Sequence, residues 1–124
     1  MKEYYQGFIA HFARSFRDAF HGLVIVWQEE RNFRVQCVAA LVVLILLLLV
    51  GFTYIETALL VIAVILVLSA EVTNTAFEDT LNKIQPNEDP VVGRIKDVAA
   101  GVVVIHVIGA CIIGLLVFTN HFYL

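Results

Sequence analysis

Residues 35–52 read VQCVAALVVLILLLLVGF and contain no charged side chain. A helix needs about 20 predominantly apolar residues to cross the hydrocarbon core of a bilayer. A similar run occupies residues 98–118, and a shorter one, residues 57–70, reaches spanning length only if its helix continues past Glu71. The sequence therefore predicts three membrane-spanning helices, at residues 33–52, 56–84 and 95–118.

The composition of the whole chain also indicates that a lipid bilayer surrounds it. Of its 124 residues, 60% are hydrophobic and 15% are charged, and the mean hydropathy is +0.88. Soluble domains are usually about half apolar and a quarter charged. We therefore expect an all-α membrane protein that forms a single domain over residues 1–124. No basic cluster favours nucleic acid as a partner.

A helix of different character is predicted ahead of the spans, at residues 4–30. At 100° per residue, its apolar and charged side chains fall on opposite arcs. The apolar arc holds Phe8, Phe12, Phe16, Ala19, Phe20, Leu23 and Trp27, and the polar arc holds Arg14, Arg17, Asp18, His21 and Gln28. This division is typical of a surface helix that lies in the membrane interface. The alternative is an amphipathic helix that covers a soluble core.

The basic residues predict how the chain is oriented. All eight Lys and Arg residues lie before the first apolar run, residues 35–52, or between the second and third runs, residues 57–70 and 98–118. Three crossings put these two regions on one side of the membrane, which the positive-inside rule assigns to the cytoplasm. We expect a cytoplasmic N-terminus and a C-terminus outside, with Glu56 as a solvated helix cap on the outer turn.

Acidic residues end the second span. Seven residues advance a helix by about 700°, so Glu71 and Glu78 share a face, about 10 Å apart along the axis, with Asn74 between them. An ionisable group in hydrocarbon costs several kcal/mol and by default marks a function. The alternative is that Glu71 lies at the headgroup level and that Glu78 is an ordinary cytoplasmic residue.

The predicted topology brings two further polar segments, residues 29–34 and 94–97, to the same interface as the end of the second span. Carboxylates suit Mg²⁺, which commonly uses one or two of them together with phosphate oxygens. Lysine supplies a point charge for phosphate. These residue types predict a phosphoryl-transfer site. The chain has no glycine-rich nucleotide motif, so helix ends would have to hold the nucleotide.

Three motifs carry a resemblance to a known family. They are E-E-R-N-F-R at residues 29–34, E-x-x-N-T-A-x-E at residues 71–78 and K-D-x-A-A-G at residues 96–101. In order, spacing and number of spans, the chain resembles the small bacterial membrane kinases of diacylglycerol and undecaprenol. The first motif is similar to the undecaprenol-kinase branch. The resemblance implies a homotrimer in the bacterial inner membrane, with active sites between subunits on the cytoplasmic side.

The resemblance also implies roles for individual residues. Glu71 matches the general base that takes the proton from the lipid hydroxyl, and Glu30 and Glu78 match ligands of Mg²⁺. The positions matching the ATP site are Glu30, Asn74, Glu78, Lys96 and Asp97, with Glu88 and Asp89 standing where the family often has a histidine. The positions matching the lipid site are Trp27, Asn32, Phe33, Arg34 and Glu71.

Two questions stay open at this level. Undecaprenol is the expected substrate because of the motifs at residues 29–34 and 96–101, and diacylglycerol is the alternative. The chain could instead be a non-catalytic scaffold or transporter subunit, whose buried acid serves ion passage or helix association. Glu30, Lys96 and Asp97 argue against that class, because an ion path needs no phosphate ligand.

Overall fold

The part of the protein that the structure describes consists of four α-helices. The computed structural model describes residues 2–123 and the side chains of residues 10–123, so Met1, Leu124 and the side chain of Phe8 lie outside the described part. The helices are α1 (Lys2–Glu29), α2 (Arg31–Val50), α3 (Tyr54–Ile84) and α4 (Pro90–Tyr123). The predicted all-α class is confirmed, and α2, α3 and α4 are long and apolar enough to cross a membrane. The chain is a multi-pass membrane protein.

A single residue, Glu30, separates α1 from α2. Its backbone is extended, with φ −100° and ψ 111°, whereas the residues on either side are helical. Arg34 reaches back across this break, and its Nη1 donates to the carbonyl oxygens of Trp27 at 2.8 Å and Gln28 at 3.0 Å. These carbonyls belong to the last turn of α1, where helix carbonyls lack partners within the helix. The two hydrogen bonds of Arg34 therefore connect the end of α1 to the start of α2.

A tight turn joins α2 to α3. Gly51 adopts the left-handed conformation, φ 77° and ψ 42°, that ends α2, and Thr53 and Glu56 form a reciprocal capping box at the start of α3. Glu56 also accepts a hydrogen bond from Nδ2 of Asn120 at 3.0 Å, and Nδ1 of His121 lies 3.1 Å from its carboxylate. The predicted cap is confirmed. Its predicted solvation is wrong, because α4 continues past residue 118 and covers Glu56, which is 5% exposed.

The helices α3 and α4 are both longer than their apolar runs. Helix α3 passes through Glu71 without a break, and α4 has 34 residues, a length of roughly 50 Å against a hydrocarbon core of about 30 Å. Pro90 opens α4 at the first helical position, where a missing N–H costs nothing. Asp89 caps this end, because its Oδ1 accepts from the N–H groups of Val91 and Val92.

Helix α3 lies at the centre of the fold and packs against each of the other three helices. Most of the buried side chains belong to it: Leu60, Ala63, Ala70, Glu71 and Thr75, besides Glu56. Large apolar side chains elsewhere on α2 and α4 remain exposed, as expected for surfaces that face lipid or other subunits. Glu71 of the middle crossing is therefore enclosed by neighbouring helices.

Candidate functional site

Glu71 is buried among the helices, with only 3% of the residue exposed. Its Oε2 accepts a hydrogen bond of 2.9 Å from Nε2 of Gln36 on α2. Thr75, one turn further along α3, is also buried and donates to the backbone carbonyl of Glu71 at 3.0 Å. The carboxylate of Glu71 is thus hydrogen-bonded to a neighbouring side chain, as a buried ionisable residue requires.

Sequence reasoning missed Gln36. Its signal was present, because Gln36 is the one side-chain amide in the uncharged run of residues 35–52. Its Nε2 is engaged with Glu71, while its Oε1 is buried and has no hydrogen-bond partner among the described residues. Gln36 therefore belongs to the surroundings of the predicted base.

Glu78 and Lys96 meet across the interface of α3 and α4. Nζ of Lys96 lies 3.7 Å from Oε1 of Glu78 and also donates to Oδ1 of Asn82. Asn82 lies on the same face of α3 as Glu78, one turn later. The structure brings together a residue predicted to bind metal and one predicted to bind phosphate. Asp97, beside Lys96, is exposed and has no hydrogen bond or ion pair to the described residues.

Glu30 faces these acids from the break between α1 and α2. Burial raises the pKa of Glu30 above its ordinary value, and the nearby carboxylates of Glu71, Glu78, Asp79 and Glu29 raise it further. Like charges disfavour the ionised form of a carboxyl group, so the part of the shift that these neighbours cause reflects a concentration of negative charge. Asp79 was not among the predicted site residues, although it directly follows Glu78.

This acidic region suits a hard divalent cation. Within residues 10–123, no three His, Cys, Asp or Glu side chains lie close enough to form a complete metal site. Mg²⁺ does not need one, because it usually keeps several waters and binds one or two carboxylates together with substrate phosphates. Glu30 and Glu78 are the carboxylates expected from the sequence, and the charge around Glu30 fits this ion.

A cavity of about 540 Å³ lies where the loop between α3 and α4 folds over the helix ends. Its volume is in the range of small-molecule pockets, about 300–1,000 Å³. It is lined by Asn82, Gln85, Pro86, Asn87, Glu88, Asp89, Pro90, Val92, Gly93 and Lys96. Three of the residues predicted to contact ATP therefore line one cavity, and one of them, Asp89, also caps α4.

Asn74 lies outside this cavity. It is half-buried and lines a second cavity of about 470 Å³ between α3 and α4, together with His106. Nδ1 of His106 lies 2.8 Å from the carbonyl oxygen of Val102 on its own helix. Asn74 therefore shares a helix face with Glu71 and Glu78 but contributes to a different cavity from Lys96.

The residues predicted to contact lipid are arranged around the break at Glu30. Trp27 is 46% exposed and Asn32 is exposed, whereas Phe33 is buried at 7%. Arg34 uses its guanidinium to bind the end of α1. Phe33 and Arg34 thus have structural contacts, and the contact of all four residues with lipid stays a prediction.

Comparisons with known proteins give a consistent result. A family model described as prokaryotic diacylglycerol kinase matches residues 17–118. The chain is 37% identical over 107 residues to the undecaprenol kinase of Bacillus subtilis, a match covering 86% of this chain and 87% of that protein. It is 30% identical over 107 residues to the diacylglycerol kinase of Haemophilus influenzae, covering 86% and 88%. It is 31% identical over 101 residues to the diacylglycerol kinase of Escherichia coli K12, covering 82% and 83%.

Proposed function

The chain belongs to the prokaryotic diacylglycerol kinase family, and from this premise we propose that it transfers the γ-phosphoryl group of ATP to undecaprenol in the bacterial cell membrane. Membership of the family makes it an enzyme, a lipid kinase. The observation that carries the proposal is the arrangement along α3: Glu71 is buried, and two turns later Glu78 lies beside Lys96 of α4.

The choice of undecaprenol rests on the relatives and on two motifs. The Bacillus subtilis relative is 37% identical, against 30% and 31% for two relatives that are diacylglycerol kinases. The motifs at residues 29–34 and 96–101 favour the same substrate. Diacylglycerol is the second candidate, because those two relatives cover the chain almost as fully.

The mechanism assigns proton transfer to Glu71. Its carboxylate takes the proton of the lipid hydroxyl while the hydroxyl oxygen forms a bond to the γ-phosphorus and ADP leaves. The hydrogen bond from Gln36 keeps the carboxylate oriented within the helix bundle. Lys96 contributes positive charge to the phosphates, which approach from the water side of the cavity that it lines.

Glu30 and Glu78 would hold Mg²⁺ together with oxygens of ATP. The ion would supply charge neutralisation for the transferring phosphoryl group. The carboxylates near Glu30 support this assignment, because a bound cation would offset the repulsion among them that contributes to the raised pKa of Glu30. Asp79, which contributes to the same negative charge, is the next carboxylate within reach of this region.

We further propose that the chain works as a homotrimer with the N-terminus and active site in the cytoplasm and the C-terminus outside. The distribution of Lys and Arg supports the orientation. The surface of α1 supports its place at the membrane, because Phe12, Phe16, Phe20 and Trp27 are all exposed in the single chain. The extensive exposed apolar surface of α2 and α4 leaves room for neighbouring subunits.

A direct assay tests the function. Purified protein in mixed micelles receives labelled ATP, Mg²⁺ and either undecaprenol or dioleoylglycerol, and label in the extracted lipid is counted. We expect faster transfer to undecaprenol. Faster transfer to dioleoylglycerol would establish the second candidate, and transfer to neither lipid would reject both and favour a non-catalytic membrane protein.

A further inference from the structure

The amide of Gln36 has one end engaged and the other end unsatisfied. Its Nε2 donates to Glu71 at 2.9 Å, and its Oε1 is buried without a hydrogen-bond partner among the described residues. Buried polar atoms in native proteins nearly always have a partner, so an orphaned acceptor beside a buried carboxylate calls for a donor from outside the chain.

The groove beside this amide is lined mostly by apolar side chains. Gln36 lines a groove of about 360 Å³ between α2, α3 and α4, and it is the only amide among the lining side chains. Ala63, Ala110 and Gly114 are among the small residues that leave the groove open. The groove therefore brings the side chain of Gln36, which is hydrogen-bonded to the carboxylate of Glu71, to the wall of an apolar passage.

We propose that Gln36 is a positioning residue for the phosphoryl acceptor. Its Oε1 accepts the hydrogen bond of the lipid hydroxyl on docking, and its Nε2 holds Glu71 beside that hydroxyl. Rotation about the C–O bond then turns the proton to Glu71, which takes it as the oxygen bonds to phosphorus and ADP leaves. This role rests on the proposed lipid-kinase function and adds recognition of the alcohol to it.

Recognition of this kind is measurable, because a site that binds a hydroxyl rejects the analogue that lacks it. The O-methyl ether of the lipid alcohol keeps the chain and the oxygen but has no proton to donate. The inhibition constant of the ether, divided by the KM of the alcohol, measures how much the hydroxyl proton contributes to binding. This ratio is to be compared in the wild type, Gln36→Met, Gln36→Asn and Cys37→Ala. Cys37 is the matched control, since it is the next residue on α2 and lines a different groove.

Gln36→Met keeps most of the side-chain volume and removes both amide groups. We expect it to lower kcat and the ether-to-alcohol ratio by about tenfold each, the effect of one hydrogen bond on a binding or rate constant. Gln36→Asn, one methylene shorter, should give intermediate values of both. ATP affinity should not change in either variant, and Cys37→Ala should match the wild type throughout.

A wild-type ratio in Gln36→Met overturns the docking role, and a wild-type kcat overturns the orientation of Glu71 by Gln36. If Gln36→Met no longer binds ATP and is therefore misfolded, Gln36→Asn decides, and wild-type values there overturn the proposal. These failures differ from a failure of the proposed function, which would appear as wild-type protein that phosphorylates neither lipid.

Discussion

Nδ1 of His121 lies 3.1 Å from Oε2 of Glu56 and joins the last turn of α4 to the first turn of α3. Asn120 donates to the other carboxylate oxygen of Glu56, and Thr53 donates from both its N–H and its hydroxyl group. Every one of these contacts lies near the start of α3, about four turns before Glu71. The protein therefore has two buried carboxylates on one helix, one with a structural network and one at the proposed site.

Substitution of Glu56 should affect stability and leave catalysis intact. In Glu56→Ala, Asn120 and the cap of α3 lose their common acceptor, so we expect a melting temperature in detergent lower by several degrees. Thr119→Ala is the control, because the hydroxyl of Thr119 bonds only within α4. An unchanged melting temperature in Glu56→Ala would show that the network contributes nothing to folding.

Substitution of Glu71 should impair catalysis and leave the stability of the protein intact. Glu71→Gln keeps the size of the side chain and removes the proton acceptor, so we expect kcat to fall at least about 10²-fold with ATP affinity retained. The measurements are lipid phosphorylation and nucleotide binding by the same preparation. Glu56→Gln, assayed well below its melting temperature, is a matched carboxylate control on the same helix. Normal turnover by Glu71→Gln would remove Glu71 from the mechanism.

Loss of the Lys96 cation should weaken nucleotide binding. Lys96→Met removes a charge that is expected to contact phosphate, so the KM for ATP should rise by about 10- to 100-fold, the effect of a charged hydrogen bond. The control is Lys83→Met, since Lys83 is an exposed lysine in the last turn of α3. Equal KM values for ATP in the two variants would contradict a phosphate contact by Lys96.

Neutralising Glu30 should change the requirement for Mg²⁺. Glu30→Gln removes a proposed ligand, so half-maximal activity should need about tenfold more Mg²⁺, at the lower end of the effect of weakening a metal site. Glu29→Gln is the matched control, because Glu29 is adjacent and exposed. A titration of activity against Mg²⁺ that is unchanged in Glu30→Gln would place the ion elsewhere.

Much of the architecture could be predicted because membrane solvation is a strong constraint. Runs of uncharged residues mark the crossings, and the spacing of Glu71 and Glu78 determines that they share a face of α3. The meeting of Lys96 with the end of α3 was implied by topology, and the structure shows the contact with Glu78. Membership of the kinase family, expected from three motifs, is confirmed.

Other features depend on information that hydropathy does not contain. Hydropathy identifies the part of a helix that lies in hydrocarbon. It does not show that α4 continues beyond that part, from Pro90 to Tyr123. That extension is what buries Glu56, whose partners lie more than 60 residues away in sequence. The start of α4 could have been predicted from the sequence, because Asp89 and Pro90 match the pattern of a helix N-cap followed by proline at the first helical position.

The hydrogen bonds of Arg34 across the break at Glu30 have a mechanical consequence. Helix α1 cannot tilt away from α2 without breaking two charge-assisted bonds, and Gln36 lies only two residues beyond Arg34. Movement of α1 relative to α2 is therefore restrained at the turn of α2 that precedes the amide bonded to Glu71.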